Sequence, residues 1–211
     1  MILNELLFLP LNIPNPPNIV DELDKISYND MSIDHYRNCH HIPIMRYNKN
    51  TNETKWVYNF PELKSYLEQY VFPWSQKSRV VIITTKPGEK NPPHIDCSPD
   101  EFNLTQHKFR FVFQGNTNDL KYLTNKEVVN IPRINKPFIM DGSWPHEMTN
   151  TSNKRKYTLA LGSPWQPKES DKDYMSLLER SYIKYKKNYI SNKNLNLPKN
   201  YEELYEDIYK N

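Results

Sequence analysis

The sequence is poor in glycine and cysteine, has no long apolar run and carries little net charge. Four glycines stand against seventeen prolines in 211 residues, so the loops are expected to be stiff. The two cysteines, Cys39 and Cys97, cannot build a disulfide framework, and a reducing compartment is the simpler reading. No apolar stretch approaches the ~20 residues of a membrane span. The start, Met1-Ile2-Leu3-Asn4-Glu5, lacks the basic and apolar regions of a secretion signal. Together these absences predict a cytoplasmic protein with no membrane partner. Twenty-eight basic residues nearly balance twenty-five acidic ones, which excludes a protein that coats polyanions.

Aromatic residues are plentiful, with fifteen tyrosines, so amphipathic rings are expected to do much of the packing. The length fits one domain, 1–211, with a real hydrophobic core. Leu6 to Leu9 reads as an edge strand, and Pro14, Pro16 and Pro17 forbid a helix after it. Residues 19–27 fit a short helix. His35, His40 and His41 lie in a polar stretch and read as solvated loop histidines. Pro61 to Val71 has helical apolar spacing with proline in the first turn.

From residue 79 the pattern turns to strands. Arg79 to Thr85 is short and β-branched. His107 to Phe113, Tyr122 to Ile131, Pro137 to Met140 and Lys156 to Gly162 follow, separated by turns. His107 itself reads as a strand-edge surface residue. Many short strands between turns predict a sandwich or barrel. Beyond it the chain becomes charged, with Tyr174, Leu177, Leu178, Tyr182 and Tyr185 at helical intervals, and Asn200 to Lys210 is a second amphipathic piece. Basic and aromatic residues interleave over 182–189, as in single-strand nucleic-acid binders. Tyrosines turned inward and lysines solvated explain the same pattern more simply, so no nucleic-acid partner is expected.

The chemistry centres on His94-Ile95-Asp96 and the distant His146. On a strand, residues i and i+2 share a face, so His94 and Asp96 converge while Ile95 turns away. Two neutral imidazoles and a carboxylate suit Fe(II) and leave coordination positions open. Pro92 and Pro93 deliver His94 from a stiff, extended lead-in. Cations to hold an acidic co-substrate are at hand in Arg110, Arg155 and Lys156. Alternation pairs Lys156 with Thr158 on one face and Arg155 with Tyr157 on the other, and either cation–hydroxyl pair fits a carboxylate. Arginine grips a carboxylate bidentately, which favours Arg110 for the stronger hold. Trp144, Trp165, Tyr122 and Thr85 are candidates for the walls. Two other classes stay open. Zinc would use the same ligands, with Glu147 as a base for hydrolysis. A non-catalytic, cupin-like metabolite-binding protein is the other, although a buried, unpaired Asp96 would be costly without a metal.

Pro92-Pro93-His94-Ile95-Asp96, the strand through Arg110, and the run from Asp141 through His146 to Leu159 resemble the Fe(II)/2-oxoglutarate-dependent oxygenases. The nearest branch is the aspartyl/asparaginyl β-hydroxylase-like group, which includes free-proline hydroxylases. Lys86-Pro87-Gly88 matches that branch's turn before the first histidine, and Arg110 matches an arginine on its next strand. The resemblance covers roughly 79–165. It implies a double-stranded β-helix (jelly-roll, cupin-like) core over that range, flanking helices and a helical C-terminal extension from about 170 to 211. It implies Fe(II) held by His94, Asp96 and His146, with 2-oxoglutarate and dioxygen as co-substrates. The far carboxylate would meet Arg110 and Lys156 or Arg155, near Thr158 and Thr85. The family's clamp arginine falls on Lys156 here, with Arg155 beside it. The implied reaction is hydroxylation of an amino acid, free or within a peptide.

Overall fold

The computed structural model describes residues 3–48, 50–75, 78–97, 101, 104–161, 166–201 and 203. The chain is mainly β. Thirteen strands and three α-helices occur among the described residues, in the order β1 (Leu6–Pro10), α1 (Val20–Leu23), β2 (Ser32–Asp34), β3 (Cys39–Asn48), β4 (Glu53–Trp56), α2 (Pro61–Tyr70), β5 (Val80–Thr85), β6 (Lys90–His94), β7 (His107–Gln114), β8 (Leu120–Leu123), β9 (Val128–Asn130), β10 (Phe138–Asp141), β11 (His146–Thr149), β12 (Lys156–Leu161), α3 (Lys172–Tyr185) and β13 (Ile190–Ser191).

The strands form two antiparallel sheets. The larger runs β13-β1-β10-β7-β12-β5-β3-β2, with β4 added to β3, and the smaller runs β6-β11-β8-β9. This is a jelly-roll, cupin-like core with a C-terminal helix. Alternation along β7 shows how the large sheet is used. His107, Phe109 and Phe111 point to the helical side, where Phe109 and Phe111 join the main core with Leu63, Leu67, Leu177 and Leu178. Lys108, Arg110 and Val112 point to the side facing the small sheet. A second core lies between the sheets, built on Leu7, Phe8, Tyr122, Phe138 and Met140.

Both long helices follow their sequence stripes. Pro61 opens α2, where it lacks only an N–H that would have no partner there; Leu63, Tyr66 and Leu67 are buried. In α3 the buried stripe is Tyr174, Leu177, Leu178 and Ser181, the i, i+3, i+4, i+7 pattern of one helical face. Exposed Ile183 and Lys184 lie off that stripe. The expected single strand over 122–131 is a hairpin, β8 and β9, paired from Lys121↔Asn130 to Leu123↔Val128.

Three histidines differ from their sequence reading. His40 and His41 lie within the ten-residue strand β3, paired with β5 through His40↔Thr84 and His41↔Ile83. Burial pushes the His41 imidazole down to about 4. His107 sits on a central strand between β10 and β12, is buried, and its Nδ1 is 2.6 Å from the Tyr174 hydroxyl. Its sequence neighbours are polar, and only strand order reveals that it lies under α3. The expected helix over 200–210 falls almost wholly outside the described residues.

Candidate metal centre

The pairing of β6 with β11 brings the two candidate histidines together. Their register sets His146 directly opposite His94, and the rings approach to 4.3 Å between centroids. Asp96 lies two residues past the end of β6. Its amide donates to the Gly142 carbonyl at 2.7 Å, which ties it to the turn that leads into His146. A Cβ on Gly142 would come within 2.9 Å of the Asp96 Cβ and 3.0 Å of the Lys108 Cε. Glycine is needed at that close approach.

His94, Asp96 and His146 each offer a donor atom, and the three atoms lie within 4.8 Å of one another. Nε2 of His94 is 3.6 Å from Asp96 Oδ1, and Nε2 of His146 is 3.8 Å from Oδ2. Nδ1 of His94 is 2.7 Å from the Pro92 carbonyl, and Nδ1 of His146 is 2.8 Å from the Trp144 carbonyl. A carbonyl can only accept, so each Nδ1 carries the proton and each Nε2 keeps its lone pair. Burial lowers both imidazoles, His94 to about 3 with help from His146, so both are neutral at pH 7. Burial raises the Asp96 carboxyl, but the Arg37 charge, the two histidines and Arg110 outweigh it and hold it well below its usual range. The residues therefore fit a divalent metal: two imidazole lone pairs, one carboxylate, and backbone carbonyls that fix the tautomers.

Asp96 also has two cationic partners. Arg110 donates to Oδ2 at 2.9 Å, and Arg37 Nε lies 3.3 Å from Oδ1. Arg110 spends further N–H groups on the Phe109 and Leu161 carbonyls at 3.1 and 3.2 Å. Arg37 comes from the turn between β2 and β3, next to Asn38 at φ 48°, and also pairs with Asp34 at 2.9 Å. Asp34 has Cys39 and His41 close by, with donor atoms within 4.8 Å. Burial pushes the Cys39 thiol up to about 12, so this group offers a cation no thiolate at pH 7.

The three candidate ligands open into a cleft of about 80 Å³ between the sheets. Lys156 and Thr158 line it, as do Arg37 and Arg110. Lys156 is 3% exposed, and its ammonium binds the buried Asp119 at 2.9 Å and the Asn116 carbonyl. Burial lowers its pKa, and Asp119 opposes that. Gly115, at φ +104°, makes room for the lysine stem, which a Cβ would meet at 2.8 Å. Arg155 lies on the other face of β12, stacked 4.1 Å over the Tyr28 ring. Thr85 pairs with Lys156 in the β5–β12 register and is not among the residues lining the cleft. Tyr122 is buried in the second core, its hydroxyl 2.9 Å from the Leu7 carbonyl and 3.1 Å from that of Asp141. Trp144 packs against the same core. Trp165 lies outside the described residues. Glu147 points away from the cleft and pairs with Lys90 at 2.8 Å.

Arg37, Lys108 and Asp119 are site residues that the sequence reading passed over. Lys108 was accessible to period-2 logic, since it shares a face with Arg110 two residues on. Arg37 and Asp119 had no local signal, because both arrive from turns.

No protein-family model matches the chain, and no curated protein matches it in sequence. Solved structures similar to it include a prolyl-4-hydroxylase from Pseudomonas putida, at 11% identity and TM-score 0.42 over 67% of this chain and 81% of that one. A Burkholderia pseudomallei oxidoreductase of the 2OG-Fe(II) oxygenase family matches at 12% identity and TM-score 0.43, over 71% and 80%. The cupin domain of Drosophila melanogaster CENP-C matches at 11% identity and TM-score 0.35, over 73% and 85%. Likenesses this distant carry no weight for function, which has to be read from the residues of the site.

Proposed function

We propose that this chain is an Fe(II)- and 2-oxoglutarate-dependent dioxygenase that hydroxylates an unactivated C–H bond of an amino acid, free or within a peptide. One observation carries the reading. Two histidines with their Nε2 lone pairs exposed and an ionised aspartate converge at the wall of a cleft, each held by its own backbone or guanidinium contact. Ferrous iron bound there would supply dioxygen activation coupled to oxidative decarboxylation of the 2-oxo acid.

The protein's own groups do the rest. His94, Asp96 and His146 would hold the metal at the wall of the cleft. The Pro92 and Trp144 carbonyls hold both imidazoles in the ligating tautomer. Arg37 and Arg110 keep Asp96 ionised and oriented, which assigns Arg110 to the ligand rather than to the co-substrate. Lys156 and Thr158, on one face of β12, are the groups placed to meet the co-substrate's far carboxylate. Arg155, turned to Tyr28, is not. The apolar side chains Ile83, Val112, Leu120 and Met148 in the cleft exclude water from the reacting C–H bond.

Purified anaerobically and given Fe(II), the protein is expected to convert 2-oxoglutarate to succinate slowly without prime substrate. His94→Ala is expected to abolish this. A specific observation supports a second reading, a cupin-like binding protein. Asp96 is paired with two guanidiniums, so its burial is compensated even without a metal. No turnover with any candidate substrate, with no visible absorption change when 2-oxoglutarate is added to the iron form, would favour that second reading.

A further inference from the structure

The inner face of the large sheet holds a second cavity, of about 70 Å³, which meets the cleft at Asp96. Arg37, His41, Arg79, Lys108, Arg110 and Asp96 face it, over an apolar floor from β5 and β12. His94 and His146 do not line it; Arg37, Asp96, Arg110 and Ile83 are common to it and the cleft.

Lys108 is the residue that calls for a ligand. It is 3% exposed on a central strand, and no described residue gives it a hydrogen bond or an ion pair. Its stem lies against Gly142, where a Cβ would come within 3.1 Å of Cγ. A largely buried ammonium without a counter-ion is costly. Burial brings the pKa down to about 8, opposed by Asp96 and lowered further by Arg110, so it is still mostly protonated at pH 7. Arg79 is exposed at the rim and also has no partner among the described residues. The carboxylate that faces the cavity, Asp96, is already shared by Arg37 and Arg110. Asp34 answers Arg37, and Glu101 acts on Lys108 only through space. Four cations thus surround a space with one committed carboxylate.

We propose that this cavity binds the oxyanion head, a carboxylate or a phosphate, of a small acid, held by Lys108 and Arg79 with Arg110 behind them. Anion binding supplies the missing counter-charge, and the apolar floor fits a short carbon chain. The proposal does not depend on the oxygenase reading, because the site is complete without a metal.

The test uses the full chain, free of metal, titrated calorimetrically with inorganic phosphate and with acetate, against sodium chloride at matched ionic strength. Saturable binding of one equivalent is expected, with a rise in thermal midpoint. Lys108→Met should weaken it about tenfold or more, and Arg79→Gln should weaken it less. Lys108→Met should also raise the midpoint in anion-free buffer, because a buried unpaired charge is gone; a lysine with a purely structural role would lower it. The relative affinity of phosphate and acetate tells a phosphorylated ligand from a carboxylic acid. The double variant Lys156→Met/Asp119→Leu removes the ammonium of the cleft and should bind as wild type. Binding lost in that double variant but kept in Lys108→Met would overturn the proposal. So would an effect that chloride reproduces, or unchanged affinity in Lys108→Met.

Discussion

Asp119→Ala tests the most buried ion pair of the cleft. The Lys156 ammonium and the Asp119 carboxylate meet at 2.9 Å with side chains 4% and 1% exposed. Asp119 also accepts from the Thr151 hydroxyl at 2.5 Å, so its oxygens are satisfied. Removing the carboxylate leaves an ammonium in an apolar setting with only the Asn116 carbonyl, a change that costs about 3–5 kcal/mol. That is a large part of the ~5–15 kcal/mol available to a domain. For a chain of this size it corresponds to a thermal midpoint lower by about 6–20 °C. Replacing both partners, as Lys156→Met/Asp119→Leu, removes the charge together with its need. Such a replacement is often neutral or stabilising, so this variant should recover most of the loss. Urea unfolding of wild type, the single and the double variant gives the three free energies directly. If Lys156 holds the co-substrate's far carboxylate, the refolded double variant should still take up iron but bind 2-oxoglutarate at least tenfold more weakly. A loss below about 1 kcal/mol in Asp119→Ala would match an exposed pair and refute the buried one. Undiminished 2-oxoglutarate binding in the double variant would remove Lys156 from the co-substrate site.

Gly142→Ala places a methyl 2.9 Å from the Asp96 Cβ. It should destabilise the fold by about 1–3 kcal/mol and weaken metal uptake, read by cobalt titration, far more than Gly88→Ala, which strains the backbone at φ +75° but meets no atom within 4 Å and lies away from the ligands. Stability should fall on acidification below pH 6.5. His94 and His107, held near 3, and His41, near 4, bind protons in the unfolded chain before the folded one. Their contribution is complete above the unfolded value of 6.5 and is lost as pH drops toward 3–4. Asp96, also held below its ordinary value, adds a further loss as pH falls through the carboxylate range. Urea midpoints between pH 7 and 4.5 measure this, and His107→Phe should flatten the slope; a slope unchanged by that variant would show His107 to be solvated. Chelation of the metal should leave the fold intact, because Arg37 and Arg110 replace its charge at Asp96, and circular dichroism before and after chelation checks it.

Much of the molecule was legible without coordinates because it follows local rules. The stripe of Tyr174, Leu177 and Leu178 announces α3, Pro61 announces the start of α2, and the β-branched run through Ile82 and Ile83 announces β5. Alternation put Lys156 and Thr158 on one face and Arg155 on the other. Other features gave no such signal. β3 holds His40, His41 and Pro43, a composition that reads as loop, and becomes a strand only because β5 and β2 flank it. β6 carries two prolines, which a sheet edge tolerates and a central strand does not. β11 pairs one side of β6, and no described strand pairs the other.

The sequence alone determined the donor types and the spacing that turns His94 and Asp96 to one side, because side-chain direction along a strand is a property of the backbone. Which charges face one another was decided by the tertiary structure. The β6–β11 register brings His146 opposite His94, a turn carries Arg37 to Asp96, and Asp119 takes up the Lys156 ammonium, while no described residue pairs with Lys108. Electrostatic partners are chosen by distance through space, and no local pattern in the chain encodes the crossings of strands that set those distances.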